Sequence, residues 1–530
     1  MLRPPSLPPR VRQVVTELPW LVAVPVCLTL LWLWGEAFVL DGGMYGYGWH
    51  DYVNNAWIVE HGGGIGYNNF RNPLHAKWLG SLGESMGSYA NAGRLIASIS
   101  VLVMVLSAAL LARSLAGPWA AALSALGVAL VPRFVDAVRW SNYYPSLGAL
   151  TGAYLALSAA LVRWPRVWIA ALAGLAGGLA WGVDDRGALL LPLAGVLVLL
   201  AASRRELTWP RRGALVVAFC VSLPLGPWSK DTLWPNVKNP TWEERVDFQR
   251  QVIRNWIRIS KDDELIPACR GDLPEGLVAS VQSPCGQALL LHNLRWTLGL
   301  NIPYGLLPAA LALPLVLFPG RRGWREGLAG GAVFVGTGAA VGEMCFYMPM
   351  PDRYLIQFAV PFCAVVPVGL ARASAMLPTR VALWVTPVLV IAAGAWAWVA
   401  DPIGRGDDTK LQASPRQQEM RDVAEEVLAR LGEADVYRDC THHYATSAML
   451  PRLTQPSPPL LRARSSEPCY EWMERATPEG GSVWLSVDPQ KRLEPARQAG
   501  SGNVAKDLAQ AEGWTLEFTQ GSFQLWKRDD

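Results

Sequence analysis

Charge is scarce in this chain. Only 17% of its 530 residues are Asp, Glu, Lys or Arg, where a soluble protein carries about a quarter. The shortfall is uneven, because long uncharged runs alternate with short arginine-rich ones, and that pattern excludes a single soluble globule. A net charge of only +4, with no lysine-rich or arginine-rich block that resembles a nucleic-acid patch, removes the electrostatic case for nucleic acid. Cysteine is sparse and nowhere spaced as CxxC or with histidine, so a zinc site has no support. There is no Walker A loop and no GxSxG elbow. The glycines at 62, 63, 64 and 66 follow no strand, which argues against a dinucleotide loop.

What remains is apolar: 51% of the residues are hydrophobic. Arg3, Arg10 and Arg12 precede the run 20–40, which is too long for a cleaved leader and is expected to be an uncleaved signal anchor. Further runs lie at 95–111, 118–132, 147–162, 167–183, 188–202, 214–228, 302–318, 327–347, 354–371 and 381–400. Counted at roughly 17 to 25 apolar residues per span, the chain is expected to cross the bilayer about eleven times.

Arginine sets the orientation. Arg113, Arg163, Arg166, Arg204, Arg205, Arg211, Arg212, Arg321, Arg322, Arg325, Arg372 and Arg380 fall on one side if the N-terminus is inside. The positive-inside rule then predicts a cytoplasmic N-terminus and an extracytoplasmic C-terminal region. Three outward segments are too long to be turns: 41–91, 229–300 and the tail from 401. In the tail, "RQQEMRDVAEEVLARLG" has helical periodicity, "ADVYRDC" and "GSVWLSVDP" read as strands, and "WTLEFTQGSFQLWKR" reads as a hairpin. The expected fold class is therefore mainly α, a membrane bundle over 1–400 with a small extracytoplasmic α/β domain over 401–530. Cys269 with Cys285 and Cys440 with Cys469 lie outside and suit disulfides; Cys27, Cys220, Cys345 and Cys363 lie in spans and suit packing.

Polar chemistry gathers on the outer side. The stretch "GWHDYVNNAWIVEHGGGIGYNNFRNPLHAKW" follows the first span and holds His50, Asp51 and His75, with Asp41 just before it. Arg133, Asp136, Arg139, Asp184, Asp185, Arg186, Glu343, Asp352 and Arg353 fall at the same face. A one-sided cluster at span ends suggests a functional cavity; solvated loops are the bland reading. "WGVDDRGALLL" supports two readings equally: aspartates capping a helix start, or a carboxylate pair with Arg186 that holds a phosphate, a metal or a sugar hydroxyl. Arg353, after two prolines, either reaches toward headgroups or forks onto a phosphate. Trp49, Trp57, Trp78, Trp140, Trp181, Trp228 and Trp234 are explained mostly by interface belts.

The layout resembles the GT-C integral membrane glycosyltransferases, in particular bacterial relatives of protein mannosyltransferases and lipid A aminoarabinose transferases. The likeness rests on "AWIVEHGGGIGYN" with "RNPLHAKWLGSLGESMG" and "AGRL" (Pro73, Leu74, His75, Arg94), on "RWSNYYPSLGAL", on "AGGLAWGVDDRGALLL", and on "DRYLIQFAVP" (Arg353, Tyr354, Pro361). It covers roughly the first 400 residues. Two departures stand out. The family's acidic loop position falls near Tyr47 and Gly48, which are not acids, and the family's polar turn often begins with a basic residue, whereas here the order is Asp184-Asp185-Arg186.

The resemblance implies inverting transfer of a sugar from a polyprenyl-phosphate donor to an envelope lipid, polysaccharide or protein acceptor, at the outer face of a bacterial inner membrane. Asp51 is then the expected base, with Asp41 as its substitute. Arg353, Arg139 and Arg186 are the expected phosphate ligands, and His50, His75, Asp184, Asp185 and Tyr354 the expected substrate contacts. No cofactor is implied, and a divalent metal is not favoured because a monophosphate donor does not demand one. A transporter or a non-catalytic envelope-assembly protein are the rival classes. Against the transporter, the sequence lacks an internal repeat and paired broken spans.

Overall fold

A computed structural model describes residues 9–39, 56, 60, 73–87, 89–130, 137, 142–233, 282–301, 316, 324–347, 352–374, 388, 426–427, 429–432, 435–439, 481–487, 504–521 and 523–529. The described residues are mostly helical, and the chain divides into two compact units. One comprises residues 1–35, 98–138 and 144–406, the other residues 36–97, 139–143 and 407–530.

The first unit is a helix bundle. Its elements include α1 (Pro9–Val39), most of α3 (Tyr89–Leu115), α4 (Pro118–Leu130), α5 (Tyr144–Arg163), α6 (Val167–Val183), α7 (Leu191–Ala202), α8 (Trp209–Ser222) and α9 (Leu225–Leu233). They are followed by α10 (Pro284–Asn301), α11 (Trp324–Tyr347) and, after a helical turn at Asp352–Leu355, α12 (Ala359–Ser374). Among the described residues five helices are long and apolar enough to cross a membrane, and three shorter apolar ones accompany them. The expected runs 302–318 and 381–400 lie almost wholly outside the described residues, so the structure gives no count of eleven.

The centre of the bundle is α5. Its Leu155, Leu161 and Tyr154 are buried among Ala170, Ala173 and Ala180 of α6, Ala194 and Val198 of α7, and Phe358. The alanine-rich faces explain the close packing, since small side chains let helix axes approach where lipid supplies no hydrophobic drive. Glycine does the same for the approach to residue 356. A Cβ on Gly148 would stand 2.5 Å from the carbonyl oxygen of Ile356. Cys27, Cys345 and Cys363 are buried free thiols in this packing, and Cys220 is a free thiol on an exposed face, as span cysteines should be.

The second unit contains α2 (Pro73–Met86) and a four-stranded sheet. The strands are β1 (Val436–Asp439), β2 (Ser482–Val487), β3 (Trp514–Gln520) and β4 (Phe523–Asp529), in the order β1-β2-β4-β3. β1 and β2 are parallel, whereas β4 pairs antiparallel with both β2 and β3. All three stretches read as strands from sequence are strands. The hairpin turns at Gly521, whose φ of 54° lies in the left-handed region, and a register shift between Leu516 and Phe518 marks a bulge. Asp435 ties the start of β2 to β1, accepting from the Ser482 backbone N–H at 2.7 Å and the Trp484 indole at 2.9 Å. The short helix α13 (Val504–Leu508) precedes the hairpin.

Candidate functional site

The polar turn between α6 and α7 is the best-defined polar cluster at its end of the bundle. Helix α6 runs out at Val183, where Asp184 takes an extended backbone, φ −157° and ψ 143°. Asp184 closes one helix and opens the next. Its N–H donates to the Ala180 carbonyl, and its side chain accepts from the Arg186 N–H to cap a 3-10 turn over Asp185–Ala188. Asp185 stands exposed in the first turn. Gly187 fits where no other residue can, because a Cβ there would lie 2.2 Å from the Ala180 carbonyl oxygen.

This turn fixes Arg186 from every side. Its Nε donates to Asp184 Oδ1 at 2.8 Å and its Nη2 to Oδ2 at 3.2 Å, a fork on one carboxylate. The guanidinium carbon sits 5.0 Å from the ring centre of Tyr354 and 5.5 Å from that of Tyr144. The two rings meet edge to face at 5.5 Å. The backbone is held as well: Gln357 Nε2 donates to the Arg186 carbonyl at 2.9 Å, and the buried Tyr154 hydroxyl donates to the Gly187 carbonyl at 3.1 Å. Side-chain exposure is 6% for Asp184 and 27% for Arg186, so the pair is sheltered but the cation still reaches the surface.

Three strands of sequence reasoning therefore converge in space. Asp184, Arg186 and Tyr354 come together, and Tyr144 from "RWSNYYPSLGAL" joins them. Of the two readings of "DDR", the geometry shows the capping one. Asp184 caps its turn, and the same carboxylate grips Arg186, so its oxygens are engaged within the protein. Sequence reading missed Tyr144 and Gln357. Tyr144 was visible as half of a tyrosine pair at a span start, whereas nothing local marks Gln357, which matters only through a bond across 171 positions.

No family model matches the chain, and no curated protein matches it in sequence. In shape it is similar to ArnT from Cupriavidus metallidurans bound to undecaprenyl phosphate. The TM-score is 0.56 at 14% identity, over 96% of this chain and 98% of that one. The same protein in its apo state is similar at a TM-score of 0.45 and 16% identity, over 96% and 97% of the two chains. The oligosaccharyltransferase AglB from Archaeoglobus fulgidus, in complex with an inhibitory peptide and a dolichol-phosphate, follows at a TM-score of 0.43 and 11% identity, over 81% of this chain and 64% of that one. The chain has the GT-C fold.

On this GT-C scaffold the other expected site residues divide. Asp41, His50, Asp51 and Arg139 lie outside the described residues. Arg353 is the second residue of the helical turn Asp352–Leu355 that carries Tyr354, and only its backbone is described. His75 is buried in α2, its ring edge-on to Tyr143 at 6.5 Å. Glu60, an acid of the stretch 41–91, is engaged in structure: it accepts from Lys77 Nζ at 2.7 and 2.9 Å and from Ser81 Oγ at 2.9 Å. Cys285, at the start of α10, is disulfide-bonded, whereas Cys269, Cys440 and Cys469 lie outside the described residues.

Proposed function

We propose that this chain is a membrane glycosyltransferase that moves a sugar from a polyprenyl-phosphate carrier to an acceptor hydroxyl beside the membrane. The observation that carries this reading is the GT-C fold, matched end to end in a protein whose structure holds undecaprenyl phosphate. The Arg186 cage adds a chemical reason. A guanidinium fixed by two tyrosine faces and one carboxylate needs no reorganisation to meet a phosphate, and such pre-set charge is what a developing phosphate dianion requires.

In the reaction the acceptor oxygen attacks the anomeric carbon as the bond from that carbon to the carrier phosphate breaks. The electron pair of the broken bond stays on the phosphate oxygen, and the acceptor proton passes to a carboxylate. Asp51 is the carboxylate we assign, with Asp41 as its substitute. Arg186, with Arg353 and Arg139, meets the leaving phosphate, and His50, His75, Asp185 and Tyr354 contact the sugar or the acceptor. Asp184 serves by holding Arg186. Arginine alone answers the charge of a monophosphate, so the reading includes no metal. The acceptor is an envelope lipid, polysaccharide or protein at the outer face of a bacterial inner membrane.

The test is the pair Asp51→Asn and Asp41→Asn, each expressed to wild-type level, with envelope glycans assayed. Loss of a base is expected to cost about 10²- to 10⁴-fold in transfer. If a glycan that depends on the wild-type chain survives both changes together, the assignment of the base is wrong.

A further inference from the structure

The opposite end of the bundle holds a second arginine group that the proposed reaction does not use. Helix α5 joins the two ends: Tyr144 starts it at the Arg186 cage, and Arg163 closes it about 30 Å away, at 1.5 Å per residue. Most arginines at the far end are spent on structure. Arg113 forks onto Glu17 of α1 and its guanidinium stands 5.7 Å from the Trp164 ring. Arg163 donates to the Arg113 carbonyl, Arg204 to the carbonyls of Val162 and Arg163, and Arg212 to that of Leu207. Arg372 donates to Val316 and Glu326. These bonds satisfy carbonyls that helix ends leave open, which in a bilayer is costly to neglect.

Three arginines have no such task. Arg166, Arg205 and Arg211 are exposed, and their guanidinium groups have no hydrogen-bond or ion-pair partner among the described residues. They stand in the α5–α6 turn and the α7–α8 connection, which Arg204 binds together. Arg325 joins them, with a buried Nε that has no hydrogen-bond partner. Glu206, the described acid of the α7–α8 connection, is held below its ordinary carboxylate range by a backbone hydrogen bond, then by Arg204, with the charge of Arg325 adding to the effect. Tryptophans rim the same surface: Trp209 is 81% exposed, and Trp168 and Trp324 are exposed as well. Arg212 and Arg325 lie 5.1 Å from the rings of Trp209 and Trp324.

We propose that this end is a docking surface for anionic glycerophospholipid headgroups, with Arg166, Arg205, Arg211 and Arg325 receiving the phosphates and Trp168, Trp209 and Trp324 seated at the level of the glycerol. Charge complementarity selects the occupant. Among the described residues the surface offers four guanidinium groups without a hydrogen-bonded carboxylate against two acids, Glu206 and Glu326, at the level of a bilayer where aromatic rings settle. Zwitterionic headgroups carry their own cation beside the phosphate and compete poorly for such a surface.

The experiment places the full chain in nanodiscs of phosphatidylcholine with increasing phosphatidylglycerol and reads thermal stability, with native mass spectrometry of the lipids retained. The wild type is expected to retain phosphatidylglycerol selectively and to unfold at a higher temperature as it is added. The triple variant Arg166→Gln, Arg205→Gln, Arg211→Gln is expected to lose on the order of a hundredfold in that preference, about fivefold per basic group. The corresponding triple lysine variant keeps most of it, and Lys506→Gln, on α13, leaves it unchanged. Equal retention of both lipids by the wild type, or an undiminished preference in the triple glutamine variant, overturns the proposal. So does polyglutamate competing as well as phosphatidylglycerol, which would assign the surface to an acidic protein instead. If the triple variant does not accumulate, the single variants decide, and three singles equal to wild type overturn it.

Discussion

The two ends of the bundle use arginine in opposite ways. At the Arg186 end one guanidinium is matched by one sheltered carboxylate, covered by Tyr144 and Tyr354, and locked through its own carbonyl by Gln357. At the far end arginines outnumber acids, and their N–H groups go to backbone carbonyls or to the surface. The first arrangement pairs a charge with one carboxylate and fixes its position. The second keeps the charge and lets the side chains reach outward. A cation fixed in place and still 27% exposed suits a reacting phosphate that must be met with the same geometry at each turnover. An array of outward cations suits a membrane surface, where no single geometry is needed.

The comparison can be broken most severely at Gly187. Gly187→Ala forces a methyl against the Ala180 carbonyl, and the resulting overpacking is expected to cost about 3 kcal/mol. The Arg186 cage would open, and transfer activity should fall at least tenfold while lipid retention at the far end is unchanged. Thermal unfolding and a transfer assay on one preparation check both halves.

Asp184→Asn sharpens the contrast without changing shape. Breaking a fully buried pair costs ~3–5 kcal/mol. Because Arg186 is 27% exposed, about 2 kcal/mol is expected here. Donor affinity should move the other way, holding or rising, since the carboxylate no longer competes with phosphate for the guanidinium. Denaturation and donor titration of the purified variant would show the split. A parallel loss of both would make Arg186 purely structural.

The smallest effect lies in the sheet domain. The Asp529 carboxyl is held below its ordinary value of 3.8 by the hydrogen bond from Lys527 and then by that from Ser482. Its contribution to stability is complete above about the unfolded value and disappears as pH falls through the lower folded one. Asp529 is fully exposed, so the change is slight. Protection against hydrogen exchange along β2 and β4, taken relative to the intrinsic amide rate, should fall below about pH 4 in the wild type and lose that step in Asp529→Asn.

Legibility in the sequence followed the range of the interactions. Spans and strands depend on local pattern, so "GSVWLSVDP" and "WTLEFTQGSFQLWKR" were readable as strands of a sheet, and the helical runs as a bundle. The polar turn was readable as well, because Asp184, Arg186 and Gly187 interact within four positions. Its partners were not. Tyr144 and Tyr354 stand 42 and 168 positions from Arg186 in the chain, and only packing of α5 against residue 356, through a missing Cβ at Gly148, brings them together. Glu60 also escaped notice, since its pairing with Lys77 needs α2 to fold back across 17 positions.

The central claim is that this chain handles a polyprenyl phosphate at the Arg186 end. It is tested most directly by titrating the purified protein with undecaprenyl phosphate and comparing it with Arg186→Ala. Loss of one charge-assisted phosphate contact is worth ~1.5–3 kcal/mol, so affinity is predicted to fall about tenfold or more. Equal affinity in the two proteins, or no binding by the wild type, would contradict the account.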